Sequence, residues 1–298
     1  MAVDALLVSG GGWETVEVPS LFAVGRSGEG RVFLVDTGYA QPFKDEVGSF
    51  PYCVYDWIIP VTLDEGGDAR AGVKECVGVE PEEVDVIFIT HFHPDHVAGL
   101  SLFPNARYVY LEQAYACLEG LSSLSGLSHG FLPGLIPLDF ASRSDPLSVE
   151  HMASSRLIDR LQTMYLEGDR GGEGHGVACE LRGYRYPMGS NGAEPAVDEW
   201  GVWVVPLPGH TEGHMGVWIE TEAQVVFMVG DAVWTSRGVE GGCCRLPHPA
   251  IRMITHDWKA LAETTEQLHA LQAYATQTSA PLFIVPAHEP LYLNHSHL

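Results

Sequence analysis

Short apolar runs separated by glycine, proline and polar clusters dominate the chain. Runs at 31–36, 84–90, 107–111, 201–206, 217–219, 225–229 and 282–285 are rich in Val, Ile, Phe, Tyr and Trp and are bounded by breakers, which predicts strands. Two stretches carry the three-to-four-residue spacing of a helix with one buried face. In 257–278 the stripe is Trp258, Leu261, Leu268, Leu271 and Ala275, and Asp257 is placed to cap the first turn. In 147–166 it is Met152, Leu157, Leu161 and Met164, which predicts a second helix. Pro81-Glu82-Glu83 reads as an acidic turn leading into a buried strand. Strands interleaved with helices predict a layered α/β (α+β) architecture.

Between about 113 and 199 the pattern loosens into Gly- and Ser-rich stretches at 120–134, 168–176 and 189–192. A chain of 298 residues is then expected to form a single domain, 1–298, with a cap or insertion at about 113–199. No internal repeat is present. The 46% hydrophobic and 18% charged composition is sufficient for a large core. With 16 Lys+Arg against 39 Asp+Glu the formal charge is 16 − 39 = −23, which argues against a protein that tracks nucleic-acid phosphates. The apolar runs fall well short of the ~20 residues a membrane helix needs. The amino terminus has no basic segment and carries Asp4 within its apolar stretch, so cytoplasmic residence is the expectation. Cys53, Cys76, Cys117, Cys179, Cys243 and Cys244 show no C-x-x-C spacing and are expected to be reduced, mostly buried thiols.

The densest chemistry is Thr90-His91-Phe92-His93-Pro94-Asp95-His96, directly after the 84–90 run. Alternation at a strand end puts His91 and His93 on one side, and Pro94 forces a turn that brings back Asp95 and His96. Imidazoles and carboxylates together are the ligand set of zinc and of iron, cobalt and manganese. Further candidates follow later strands: Gly209-His210-Thr211-Glu212-Gly213-His214, then Gly230-Asp231, then Ala287-His288. Four predicted strand ends thus present ligands toward one rim.

This set, with Leu34-Val35-Asp36-Thr37-Gly38 before it, resembles the metallo-β-lactamase superfamily over most of the chain. His91-Phe92-His93-Pro94-Asp95-His96-Val97-Ala98-Gly99 and Pro208-Gly209-His210-Thr211-Glu212-Gly213-His214 are most similar to its N-acyl homoserine lactone lactonase branch, the quorum-quenching enzymes. The resemblance implies a four-layer αβ/βα sandwich with a dinuclear site at one edge of two sheets. It implies two divalent ions, Zn2+ or alternatively Fe, Co or Mn. His91, His93 and His210 would hold the first; Asp95, His96 and His288 the second; Asp231 would bridge both. The implied reaction is attack of a metal-bridging hydroxide on a lactone carbonyl, with Asp95 passing a proton to the departing oxygen. Asp36 is a candidate to orient a metal-bound imidazole from behind. The partner is a small lactone or ester; nucleic acid and membrane are not expected, and a homodimer is compatible.

His214 reads as a supporting residue rather than a ligand. His129, His151, His175, His248, His256, His269, His295 and His297 have no partner at ligand spacing. Where these lactonases often carry a tyrosine three residues after the bridging aspartate, this chain has Trp234, read as a substrate-binding wall whose N–H does not titrate at useful pH. The rival activity is a thioesterase of the hydroxyacylglutathione hydrolase type, or another ester or β-lactam hydrolase of the same superfamily. The ten residues after His288 are too few for the glutathione-binding helical domain of that type. A di-iron redox module is a different class; it would be expected to replace a motif histidine by a carboxylate.

Overall fold

The computed structural model describes residues 2–4, 15–63, 66–152, 154–165, 179–188, 201–239 and 255–290. Its strands are Ala2–Asp4 (β1), Thr15–Glu17 (β2), Ala23–Arg26 (β3), Val32–Val35 (β4), Val84–Phe88 (β5), Arg107–Leu111 (β6), Ser144–Leu147 (β7), Ser154–Arg156 (β8), Arg182–Tyr186 (β9), Val202–Pro206 (β10), Met215–Glu220 (β11), Val225–Gly230 (β12) and Leu282–Pro286 (β13). They form a five-stranded sheet in the order β3-β4-β5-β6-β7, a six-stranded sheet in the order β13-β12-β11-β10-β9-β8, and a β1-β2 pair. Strands β4 to β7 are parallel, as are β12 and β13, while β8 to β12 pair antiparallel in succession.

Side-chain alternation makes the layers. Phe33 and Val35 of β4 and Val226 and Met228 of β12 meet in a core between the two sheets. Val32 and Leu34 face outward onto Phe43, Ala69 and Val73 of helices Gln41–Glu46 and Ala69–Val77. Val225, Phe227 and Val229 face outward onto Leu268, Leu271 and Ala275 of helix Trp258–Thr278. The result is helix, sheet, sheet, helix, each interface closed by period-two burial. Val32 pairs with Val84 but Phe33 pairs with Val86, so Asp85 is the extra residue of a bulge; its carboxylate accepts the Val32 N–H at 2.8 Å.

The helix expected from Asp257 forms over 21 residues, and the Asp257 carboxylate accepts the Lys259 and Ala260 N–H groups at 2.9 and 3.0 Å. The one expected at 147–166 is only half present. Ser144–Leu147 and Ser154–Arg156 are edge strands, and the helix is confined to Leu157–Tyr165. Backbone pairing with β6 and β9 overrides the helical stripe there, so Met152 falls outside the helix. That helix is clamped by Arg160, whose guanidinium donates to both oxygens of buried Glu220 at 2.8 and 2.6 Å. Where it is described, the 113–199 segment supplies edge strand β7 to one sheet and β9 with edge strand β8 to the other. Cys179 is buried, but Cys76 and Cys117 are exposed; Cys76 lies on a helix whose buried side is Ala69 and Val73. Cys243 and Cys244, and the glycine stretches 168–176 and 189–192, lie outside the described residues.

Candidate metal centre

The ligand-bearing strands of each sheet run in one direction, β4 beside β5 and β10, β12 and β13 in the other, so their carboxyl ends share an edge. After β5, Thr90 and His91 are fully buried. Pro94, whose missing N–H costs nothing in a first turn, opens the single-turn helix Pro94–Val97. The His96 N–H then returns to the His93 carbonyl at 3.0 Å. Two glycines allow the later loops to close in. A Cβ on Gly209, at φ 133, would stand 2.3 Å from the Leu261 backbone; one on Gly230, at φ 51, would stand 2.8 Å from His214 Nε2. Larger residues at either position would push His210 or Asp231 off the site.

All seven expected ligands converge. His91 Nε2 is 3.0 Å from His93 Nδ1, which is 3.1 Å from His210 Nε2, and His210 Nε2 is 3.4 Å from Asp231 Oδ2. On the other side, His96 Nε2 is 3.3 Å from Asp95 Oδ2 and 3.4 Å from Asp231 Oδ1. His288 Nε2 is 3.5 Å from Asp95 Oδ2 and 3.3 Å from Asp231 Oδ1. These atoms form two groups, His91/His93/His210/Asp231 and Asp95/His96/His288, and the two oxygens of Asp231 face one group each.

The outer nitrogens fix the tautomers. His288 Nδ1 donates to the Pro19 carbonyl at 2.8 Å, His96 Nδ1 to Asp36 Oδ2 at 2.7 Å, and His93 Nε2 to the His129 carbonyl at 3.2 Å. Thr90 Oγ1 donates to Asp36 Oδ2 at 2.8 Å and so receives the His91 Nδ1–H, 3.1 Å away. Each of these rings thereby aims its other nitrogen inward. Asp36 also accepts the Thr90 N–H at 2.8 Å, from a backbone at φ 58, so one carboxylate ties β4 to the ligand turn. His214 is no member of either group; its Nδ1 donates to the Leu207 carbonyl and its Nε2 accepts the Asp231 N–H, both at 3.1 Å.

Burial, then neighbouring imidazoles, holds His91 far below the ordinary histidine range. Burial also lowers His93 and, strongly, His210, against the pull of nearby carboxylates. On the other side the balance reverses. Burial opposes charge on His96, but Asp95 and Asp36 outweigh it and raise its pKa well above normal. His288 is likewise pushed up to about 9, burial being overcome by Asp231 and Asp95. Burial alone would raise the carboxyls; instead His96 and His288 lower Asp95, and His288 and His210 hold Asp231 well below its usual range.

A cation fits this donor set. His96 Nε2 and Asp231 Oδ1 are buried with no hydrogen-bond partner, and nitrogens of the three imidazoles His91, His93 and His210 meet at about 3 Å. The Trp234 ring stands edge-on to His288, centroids 5.6 Å apart, and its indole N–H is a buried donor with no acceptor. Among the other histidines, His129 Nδ1 donates to Ser125 O and His269 Nδ1 to Val239 O, both at 2.7 Å, so these are local ties. His175, His248, His295 and His297 lie outside the described residues. Thr90 opens the motif, but its tie between Asp36 and His91 leaves no mark in the sequence, because a hydroxyl carries no ligand signal of its own. The tyrosine pair Tyr39 and Tyr55, hydroxyls 3.4 Å apart, also escaped it, since 16 residues of separation make no recognisable spacing.

Residues 16–111 match the Metallo-beta-lactamase superfamily. A probable metallo-hydrolase of Mycobacterium tuberculosis is 28% identical over 272 residues, covering 86% of this chain and 70% of that protein. A solved N-acyl homoserine lactone hydrolase, with N-hexanoyl-L-homoserine bound at its catalytic metal centre, superposes with a TM-score of 0.57 at 17% identity, over 97% of this chain and 90% of its own. A probable metal-dependent hydrolase from Staphylococcus aureus gives 0.58 at 13% identity, over 95% and 78%. At these identities the structural likeness is one of fold. The superfamily match spans residues 16–111, and the histidine and aspartate groups gathered at the sheet edge could hold a metal ion, as a metal-dependent hydrolase requires.

Proposed function

We propose that this hydrolase holds two divalent ions and opens a lactone ring, N-acyl homoserine lactones among the candidates. The observation that carries the dinuclear reading is Asp231, whose Oδ2 lies 3.4 Å from His210 and whose Oδ1 lies 3.3 Å from His288. Divalent ions held there, zinc or alternatively iron, cobalt or manganese, would acidify water and draw electron density from an ester carbonyl. The protein's own groups do the rest. The carbonyls of Pro19 and His129 and the carboxylate of Asp36 keep the rings from turning, and Asp95 stands beside His96 and His288 to take up and pass on a proton. Trp234 forms a wall at the His288 side, with its unpartnered N–H available to a substrate oxygen.

The lactone assignment draws support from the lactonase-like motifs and from the product-bound structure of the same fold. We place the entrance beside the 113–199 segment, because the His129 carbonyl and Gly130 lie directly against His93. Work in the cytoplasm on a diffusible acyl lactone would make this a quorum-quenching enzyme. Proton release from metal-replete protein, followed on lactones, thioesters, β-lactams and phosphodiesters, tests the reading. Lactones should be the fastest class; clear thioester cleavage with no lactone opening would transfer the assignment to the hydroxyacylglutathione hydrolase type.

A further inference from the structure

We propose that the Tyr39–Tyr55 hydroxyl pair supplies the phenol donor of this site: Tyr55 hydrogen-bonds the oxygen that departs from the opened ester, and Tyr39 holds Tyr55 in place. The placement starts from the ligand turn. Thr37, next to Asp36, donates to the His96 carbonyl through both its N–H and its hydroxyl, each at 2.9 Å, so the backbone leading to Tyr39 is fastened to the Asp95–His96 side of the site. Tyr55 reaches the same place from helix Cys53–Ile58, and its hydroxyl oxygen is 3.4 Å from that of Tyr39. The Phe43 ring packs edge-on against both, with centroids 4.7 Å from Tyr39 and 5.7 Å from Tyr55. Tyr39 is buried and Tyr55 half-buried, so Tyr55 is the more exposed member of the pair.

The electrostatics agree with that placement. Burial raises both phenols, and the charges of Asp95 and Asp231 raise them further, so both hydroxyls sit in the field of the carboxylates at the centre and remain protonated donors at any working pH. Negative charge that develops on a departing alkoxide is what such a donor stabilises, and a donor already fixed in place has no reorganisation to undergo. The inference rests on the hydrolytic reading above and not on the lactone itself.

The test uses the metal-loaded full chain and one acyl group carried on leaving groups of increasing pKa, from aryl esters through thioesters to alkyl lactones. Tyr55→Phe should lower kcat on alkyl lactones by about a hundredfold, the scale of a deleted oxyanion-type donor, while aryl esters are little affected. KM, metal content and Tm should stay near wild type, because the ring and its packing on Phe43 remain. Tyr39→Phe should show the same leaving-group dependence in weaker form, as a positioning residue would. A loss that is uniform across leaving groups, or no loss, would overturn the proposal. A wild-type enzyme that cleaves aryl esters or thioesters but opens no lactone would defeat the lactone reading, while the slope against leaving-group pKa would still decide the role of Tyr55.

Discussion

At the first cluster three imidazoles share one carboxylate, Asp231; at the second, two imidazoles stand among three carboxylates, Asp95, Asp231 and Asp36. Burial decides the first case, and His91, His93 and His210 are neutral with their lone pairs already free. Charge pairing decides the second, and without metal His96 and His288 carry protons through neutral pH. A cation entering the first cluster therefore displaces nothing, whereas one entering the second must expel protons. The same two residue types, in different ratios, would then make metal binding insensitive to pH at the first cluster and dependent on it at the second.

Asp231→Ala should produce the largest effect, because both clusters lose an oxygen at once. We expect elemental analysis to find little bound metal and turnover to fall on the order of a thousandfold, about 4 kcal/mol of barrier. Full metal content with near-normal turnover would remove the shared-carboxylate account.

His210→Ala and His288→Ala should then separate the two clusters, each leaving one ion per chain. At pH 7, calorimetric titration in buffers of different ionisation enthalpy should show about two protons released from wild type, from His96 and His288, and the release should survive in His210→Ala but fall in His288→Ala. Release from both variants alike would merge the two sites.

The pH dependence of the metal-free fold follows from the same shifts. His96 and His288 have raised pKa values, so their stabilisation is complete below about 6.5, the unfolded value, and is lost as pH rises through their folded values, about 9 for His288. Asp95 and Asp231 are lowered, so theirs is present above about 4 and is lost as pH falls through the lowered values. His91, His93, His210 and His214 are held below the ordinary histidine range by burial, so stability is also lost as pH falls below about 6.5, and the apoprotein should melt highest near about pH 6.5. Metal affinity at the second cluster should rise with pH. An apoprotein that gains stability from pH 7 to 9 would contradict the assignment of charge to that cluster.

Asp36→Asn keeps an acceptor for His96 but removes its charge; a loss of about 10–100-fold in affinity confined to the second ion is expected. Leu161→Ala should affect the centre least. Its side chain is fully buried beneath the second sheet, so the change should cost about 2–5 kcal/mol of stability while metal content holds in the folded fraction.

Much of this candidate site could be read along the chain, because the residues that could hold a metal sit at the ends of apolar runs that are themselves strong strand signals. His91, His93, Asp95 and His96 fall within six positions, and His210, Asp231 and His288 each follow a strand ending in Pro or Gly. The helical layers were harder to read: Gln41–Glu46, Cys53–Ile58 and Ala69–Val77 are short, and a six-to-nine-residue helix offers too few turns for a periodic stripe. The 147–166 stripe misled because the edge strands at Ser144 and Ser154 are defined by their partners β6 and β9, which no local pattern reveals. The supports of the rings were invisible for a related reason. Pro19 and His129 act through backbone carbonyls, to which residue type is irrelevant.

The central claim is that one carboxylate serves two cations, and the most direct measurement is the number of ions retained per chain after metal saturation and exhaustive exchange into metal-free buffer at pH 8. The account predicts two for the wild type and one for His288→Ala. A wild type that retains at most one ion, or a His288→Ala variant that still retains two, would contradict it.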